Sequence, residues 1–183
     1  MSESITGVSN EMCDKDIIGF LIKLSRFNNI KYCFDVGAGK GKYGKIVKDL
    51  FLGLYVIAFE IWKDDADLLI KNHNYDKVYN TDFYSWSIKN NFKADLIIFG
   101  DVLEHFSKSK AIDIIELCLY KCKWIIINSP IGYIENPING NINETHISEI
   151  SINDLVKYDI RGYAKEKNGI LEKQCFLIKG YLE

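Results

Sequence analysis

The sequence predicts an α/β fold, a three-layer Rossmann-like sandwich built on a mostly parallel sheet of about seven strands that closes with an antiparallel C-terminal hairpin. Three observations predict it. Short runs rich in β-branched and aromatic residues alternate with segments whose apolar residues recur at helical spacing. The first such run, Ile30 to Val36, opens at its end into alternating glycines. The last two strand-like runs follow one another with no helix between them. At 183 residues, 48% hydrophobic and 26% charged, the chain fits one soluble domain spanning 1–183.

The elements follow in order. Asn10 to Phe27 carries Ile17, Ile18, Phe20, Leu21 and Leu24 as a helical stripe ahead of the first strand. Lys42 to Leu52 places Tyr43, Ile46, Val47 and Leu50 at helical spacing after the glycines. Tyr55 to Glu60 reads as the second strand, and Lys63 to Asn72 as a short helix with Ala66, Leu69 and Ile70 inward. Val78 to Phe83 reads as a third strand ending in Asp82. Ala94 to Gly100 is a buried fourth strand running into the polar loop Asp101-Val102-Leu103-Glu104-His105. Ser107 to Tyr120 is helical, and Lys123 to Asn128 is an apolar fifth strand. Ser151 to Tyr158 is a short helix opened by an S-x-x-D capping box, Ser151 and Asp154. Tyr163 to Lys167 and Lys173 to Lys179 form the hairpin.

The glycine turn, Asp35-Val36-Gly37-Ala38-Gly39-Lys40-Gly41, lets backbone approach a ligand at a helix N-terminus, as in Rossmann-like nucleotide sites. Two registers overlap. Gly39 to Gly44 fits the dinucleotide fingerprint G-x-G-x-x-G, but its first glycine falls too late, because Gly37 already holds the strand end. Asp35, two residues before Gly37, would sit badly beside a pyrophosphate. It suits the ammonium of an amino acid through a charge-assisted hydrogen bond, which favours S-adenosylmethionine over NAD. Glu60, at the end of the second strand, can accept from both ribose hydroxyls, a role that would serve either cofactor. Asp82 can accept from the adenine amine, with the backbone after it meeting the ring edge.

The order and spacing of Phe34 to Gly41, Glu60, Asp82 and Asp95 to His105 resemble the class I S-adenosylmethionine-dependent methyltransferases, over roughly residues 30 to 130. Asp101 to Phe106 is similar to a loop common among small-molecule members. The resemblance implies a cofactor site at Asp35, Gly37, Ala38, Gly39, Glu60, Ile61, Asp82, Phe83, Asp101 and Val102. It also implies methyl transfer by in-line displacement to a small-molecule or glycan-type O or N acceptor. His105, in the loop after the fourth strand, and His146 are the candidates for acceptor chemistry, since imidazole titrates near working pH. A histidine at a position comparable to His146 often closes over the site in this family. Glu144 could orient either imidazole or bind a polar acceptor.

Ser129 to Ile150 holds both prolines, Pro130 and Pro137, and is long for a connection without structure of its own. Tyr133, Ile134, Ile138 and Ile142 interrupt it, so it reads as a lid over the acceptor. Asn128-Ser129-Pro130-Ile131 lacks the second proline and the aromatic of the nucleobase amino-methyltransferase motif. A net charge of −2 gives no electrostatic footprint for nucleic acid. Lys40, Lys42 and Lys45 form only a local basic cluster. No stretch approaches a membrane span, and Met1-Ser2-Glu3-Ser4 lacks a basic signal region, so the expectation is the cytoplasm. Cys13, Cys33, Cys118, Cys122 and Cys175 show no zinc spacing and read as small buried hydrophobes, and no metal site is expected. The rival readings are a non-catalytic cofactor-binding subunit of a larger assembly, a nucleic-acid methyltransferase and a nicotinamide oxidoreductase.

Overall fold

In the computed structural model, residues 11–27, 29–132, 145–169 and 171–183 are described. β1 (Tyr32–Val36) and β2 (Tyr55–Glu60) are near-continuous apolar runs, the pattern of parallel strands covered on both faces. β3 (Lys77–Asn80) is short and borders the sheet, while β4 (Ala94–Gly100) and β5 (Cys122–Ile131) form its buried centre. β6 (Asp159–Asn168) and β7 (Leu171–Lys179) close it as a hairpin. The order is β3-β2-β1-β4-β5-β7-β6. β1 to β5 run parallel and β7 runs antiparallel to both its neighbours, as the sequence predicts.

Alternation along β4 sorts the two cores. Leu96 and Ile98 share one with α1 (Asp14–Phe27), α2 (Lys42–Leu50) and α3 (Lys63–Lys71), through Ile17, Leu21, Val47 and Leu69. Ile97 and Phe99 share the other with Phe83 of α4 (Phe83–Ser87) and with Ala111 and Ile115 of α5 (Lys108–Leu119). The sheet is thus the middle of three layers. All five cysteines are buried and free, as expected of small hydrophobes. Among the described residues no helix is long and apolar enough to cross a membrane.

An aromatic cluster fixes the wall beside β2. The Phe59 ring lies 4.7 Å from Trp86, 4.9 Å from Phe83, 5.2 Å from Tyr79 and 5.3 Å from Phe34, centroid to centroid. Phe59→Ala will cost about 3–5 kcal/mol of stability, read as the shift of a urea midpoint. A loss below about 1 kcal/mol would mean that the cluster collapses to fill the space.

Several elements differ from their sequence expectations. The third strand ends at Asn80, not Asp82, and Phe83–Ser87 is helical. Its composition, Phe-Tyr-Ser-Trp-Ser, suits a strand. The Asp82 carboxylate instead accepts the Ser85 N–H at 2.9 Å as an N-cap, and the rings pack into the aromatic cluster. β6 begins at Asp159 rather than Tyr163, because an edge strand with one solvated face carries charges that hide its period. The short helix opened by Ser151 is α6 (Ile152–Leu155); the Asp154 carboxylate accepts the Ser151 N–H at 2.8 Å, so the capping box forms, but the helix stops before Tyr158.

The predicted lid also changes. β5 runs on through Ser129, Pro130 and Ile131, paired with β7. Pro130 fits there because β4 ends at Gly100, opposite Asn128, leaving the β4 side of β5 without a strand partner. Tyr133, Ile134, Pro137, Ile138, Ile142 and Glu144, like Asn10, lie outside the described residues. At its other end the chain is fixed: Ile147 and Ser148 both donate their N–H to the Glu104 carbonyl, and Gln174 Nε2 donates to the Ile150 carbonyl.

Candidate functional site

After β1 the chain moves outward to β2 and β3, then returns to β4 on the other side of β1. In open α/β sheets, ligands bind at such a reversal, outside the carboxyl ends of the strands. The glycine turn sits there. Gly37 has φ +67°, and its N–H donates to the Phe59 carbonyl at 2.8 Å. A Cβ on Gly37 would lie 2.6 Å from Val102 Cγ2, so Val102 packs directly against the turn. Gly41, at φ +89°, opens α2. Ala38 is buried in the core below.

Gly44, the last glycine of the rival register, has a structural reason of its own. A Cβ there would fall 2.1 Å from Cζ of Tyr75, and the Gly44 N–H donates to the Tyr75 hydroxyl at 3.2 Å. Gly44→Ala will therefore displace Tyr75 and lower stability by about 2 kcal/mol, a loss that denaturant unfolding measures. Unchanged stability would show that the helix shifts freely.

Tyr75 matters because its hydroxyl donates to Asp35 Oδ2 at 2.6 Å. Asp35 is 1% exposed, and its other oxygen has no hydrogen-bond partner among the described residues. Burial pushes its carboxyl up to about 6, against the opposing hydrogen bonds from Tyr75 and the Gly44 N–H. Glu60, also buried, accepts the Gly39 N–H at 2.7 Å and the Trp62 N–H at 2.8 Å, so it braces the glycine turn. A carboxylate oxygen has more than one acceptor direction, so a carboxylate that braces backbone belongs to the same acceptor class as one that takes hydroxyls. Ile61 is 52% exposed beside it, an apolar surface at the rim. Asp82 caps α4, and the Phe83 ring is core. Phe83 can thus reach a ligand only through its backbone.

The β4 end carries the remaining groups. Asp101 has φ +54°, and its N–H donates to the Asn128 carbonyl at 2.9 Å. Its Oδ2 meets Lys173 Nζ at 2.6 Å, and its Oδ1 is buried with no hydrogen-bond partner among the described residues. The His105 and His146 rings stand 5.0 Å apart, edge to face. His105 Nδ1 lies 3.2 Å from the Thr145 carbonyl. His146 Nε2 is 4.0 Å from Glu104 Oε1. Burial, and then His105, hold His146 below the usual imidazole range. Glu104, His105 and His146 bring their ligand atoms within 4.8 Å of one another, an arrangement that could hold a metal ion, although the residue spacing pointed to none.

The structure brings Asp35, Glu60 and the glycine turn together and pairs the two histidines. It leaves the basic cluster dispersed: Lys42 pairs with Asp14 at 2.6 Å, Lys45 pairs with Asp49, and Lys40 is exposed. Tyr75, Lys173 and Asn128 are additions. Asn128 Nδ2 donates to the Tyr43 hydroxyl at 2.9 Å. A tyrosine in a polar stretch and a lysine beside an apolar run carry no periodic or motif signal, so only the fold exposes them.

No protein-family model matches the chain, and no curated protein matches it. Solved structures do. N-methyltransferase NodS from Bradyrhizobium japonicum superposes with a TM-score of 0.66 at 10% identity, over 94% of this chain and 99% of that one. Magnesium protoporphyrin IX methyltransferase (ChlM) from Synechocystis, solved with bound SAH, gives 0.68 at 13% identity, over 93% and 83%. TehB from Haemophilus influenzae gives 0.65 at 13%, over 94% and 67%. The chain has the class I methyltransferase fold.

Proposed function

We propose that this chain is a cytoplasmic, single-domain S-adenosylmethionine-dependent methyltransferase acting on a small-molecule or glycan-type hydroxyl or amine. The carrying observation is the buried carboxylate of Asp35, one oxygen of which lacks a hydrogen-bond partner among the described residues, under a glycine turn at the switch point of this fold. An ammonium supplies the donor that oxygen needs, whereas a pyrophosphate would repel it. Glu60 would take the ribose hydroxyls, Ile61 the adenine face, and Asp82 the adenine amine. Gly37, Ala38 and Gly39 would give backbone to the methionine part, with Asp101 and Val102 closing that end. These residues fit the cofactor in charge and placement.

Bound there, the cofactor would supply an electrophilic methyl group on a sulfonium. What the protein must do is hold the acceptor in line with that group and exclude water. His105 and His146 would stand on the acceptor side. The test is transfer of labelled methyl from S-adenosylmethionine to panels of hydroxylated and aminated small molecules and glycans. Label in any acceptor, lost in Asp35→Ala, supports the reading. Tight binding of S-adenosylhomocysteine without turnover on any panel would favour a non-catalytic subunit instead.

A further inference from the structure

We propose that Glu104, His105 and His146 form a divalent transition-metal site that binds the hydroxyl of the methyl acceptor. The proposal rests on the methyltransferase reading for its substrate, but on this chain's own geometry for the metal.

The three side chains come from two segments tied by backbone. Glu104 and His105 sit in the turn Leu103–His105 after β4. His146 is delivered by the segment whose Ile147 and Ser148 N–H groups converge on the Glu104 carbonyl, at 2.9 and 3.1 Å. Their ligand atoms all lie within 4.8 Å of one another, and His146 Nε2 is 4.0 Å from Glu104 Oε1. Donors around a bound first-row ion stand about 3.0–3.5 Å apart, so side-chain rotation of about 1 Å closes the set. Glu104 is 1% exposed, and a low-dielectric surrounding strengthens its pull on a cation.

A second observation points the same way. His105 Nδ1 faces the Thr145 carbonyl at 3.2 Å, and an oxygen there can only accept. Nδ1 therefore carries the proton, which leaves the lone pair on Nε2. A backbone carbonyl that fixes the tautomer in this way is the usual outer partner of a metal-binding histidine. Two imidazoles and one carboxylate suit zinc, iron, cobalt or nickel better than magnesium or calcium. Three protein ligands leave a position open, as catalytic sites do.

That open position suits an acceptor oxygen. A metal-bound hydroxyl loses its proton to solvent at a pH where the free hydroxyl does not. The oxygen then attacks the methyl carbon. The new O–C bond forms as the S–C bond breaks, and its electron pair returns to sulfur, turning the sulfonium into a thioether. The ether, no longer anionic, leaves the metal. The imidazole lone pairs serve the ion here, so neither ring needs to carry the proton.

The experiment is calorimetric titration of untagged, chelator-treated protein with zinc and with cobalt(II), in the absence of cofactor. One equivalent should bind, with visible d–d absorption of the cobalt form. His146→Ala and Glu104→Gln should each weaken binding by at least about 100-fold and abolish that absorption. Retained thermal unfolding and S-adenosylhomocysteine binding will show that the variants fold. Wild type that binds S-adenosylhomocysteine but neither metal would overturn the site, as would equal metal binding by all variants. Metal binding without S-adenosylhomocysteine binding would support the site and remove the cofactor reading instead.

Discussion

Asp35→Asn will weaken S-adenosylhomocysteine binding by about 10- to 100-fold and will also make the ligand-free protein more stable above pH 7. The first effect follows from losing one charge-assisted hydrogen bond to the ligand ammonium, about 1.5–3 kcal/mol. The second follows from burial. The Asp35 carboxyl titrates near 3.8 when unfolded and at about 6 when folded. The folded state therefore holds the proton more tightly. The associated stability is fully present below about pH 4 and is lost as pH rises to and through about 6, a change of about 3 kcal/mol. Other carboxylates titrate over the same range, so the quantity to measure is the difference between Asp35→Asn and wild type. That difference should grow from near zero at about pH 4 to a clear advantage for the variant at about pH 8. The amide oxygen that Asp35→Asn introduces can still accept from Tyr75, so the fold should be kept. A pH-independent difference would show that Asp35 is solvated.

The Asp101–Lys173 pair gives the second large effect. Lys173 reaches Asp101 from β7 at 2.6 Å, with side chains 7% and 18% exposed. Lys173→Met keeps the apolar stem but leaves the carboxylate in a largely buried site without its counter-ion, at a cost of about 3 kcal/mol. Asp101→Asn in the same chain removes the stranded charge. Asparagine also tolerates the positive φ of position 101, so the double variant should recover more than half of the loss. Denaturant unfolding of wild type, both single variants and the double variant forms a double-mutant cycle. A loss in Lys173→Met below about 0.5 kcal/mol would place the pair in effective contact with water.

How much of this was legible in the sequence depends on how local its physics is. Tyr55–Glu60 is read correctly to the residue, because a parallel strand covered on both faces is one apolar run. The glycine turn was legible because Gly37 needs a backbone region closed to most side chains. Phe83–Ser87 was not, because tertiary packing of its rings and the Asp82 cap override a strand-like composition. Ser129 to Ile131 read as loop because proline is foreign to a central strand, and only the end of β4 makes Pro130 acceptable. Asp35 and Glu60 were found as candidate cofactor ligands, but their bracing partners, Tyr75 and the Gly39 N–H, come from long-range contact. Glu104 drew attention only as part of a polar loop. Its grouping with His146 depends on backbone bonds between segments some 40 residues apart, which no spacing rule encodes.

Whether this chain binds the methyl donor at the Asp35 turn is decided by titrating the purified protein with S-adenosylhomocysteine, followed by calorimetry, with NAD as the control ligand. Saturable binding is expected at micromolar concentration, weakened in Asp35→Asn and in Glu60→Ala, with none for NAD. A folded wild type that ignores S-adenosylhomocysteine, or that binds NAD in its place, would contradict the cofactor assignment.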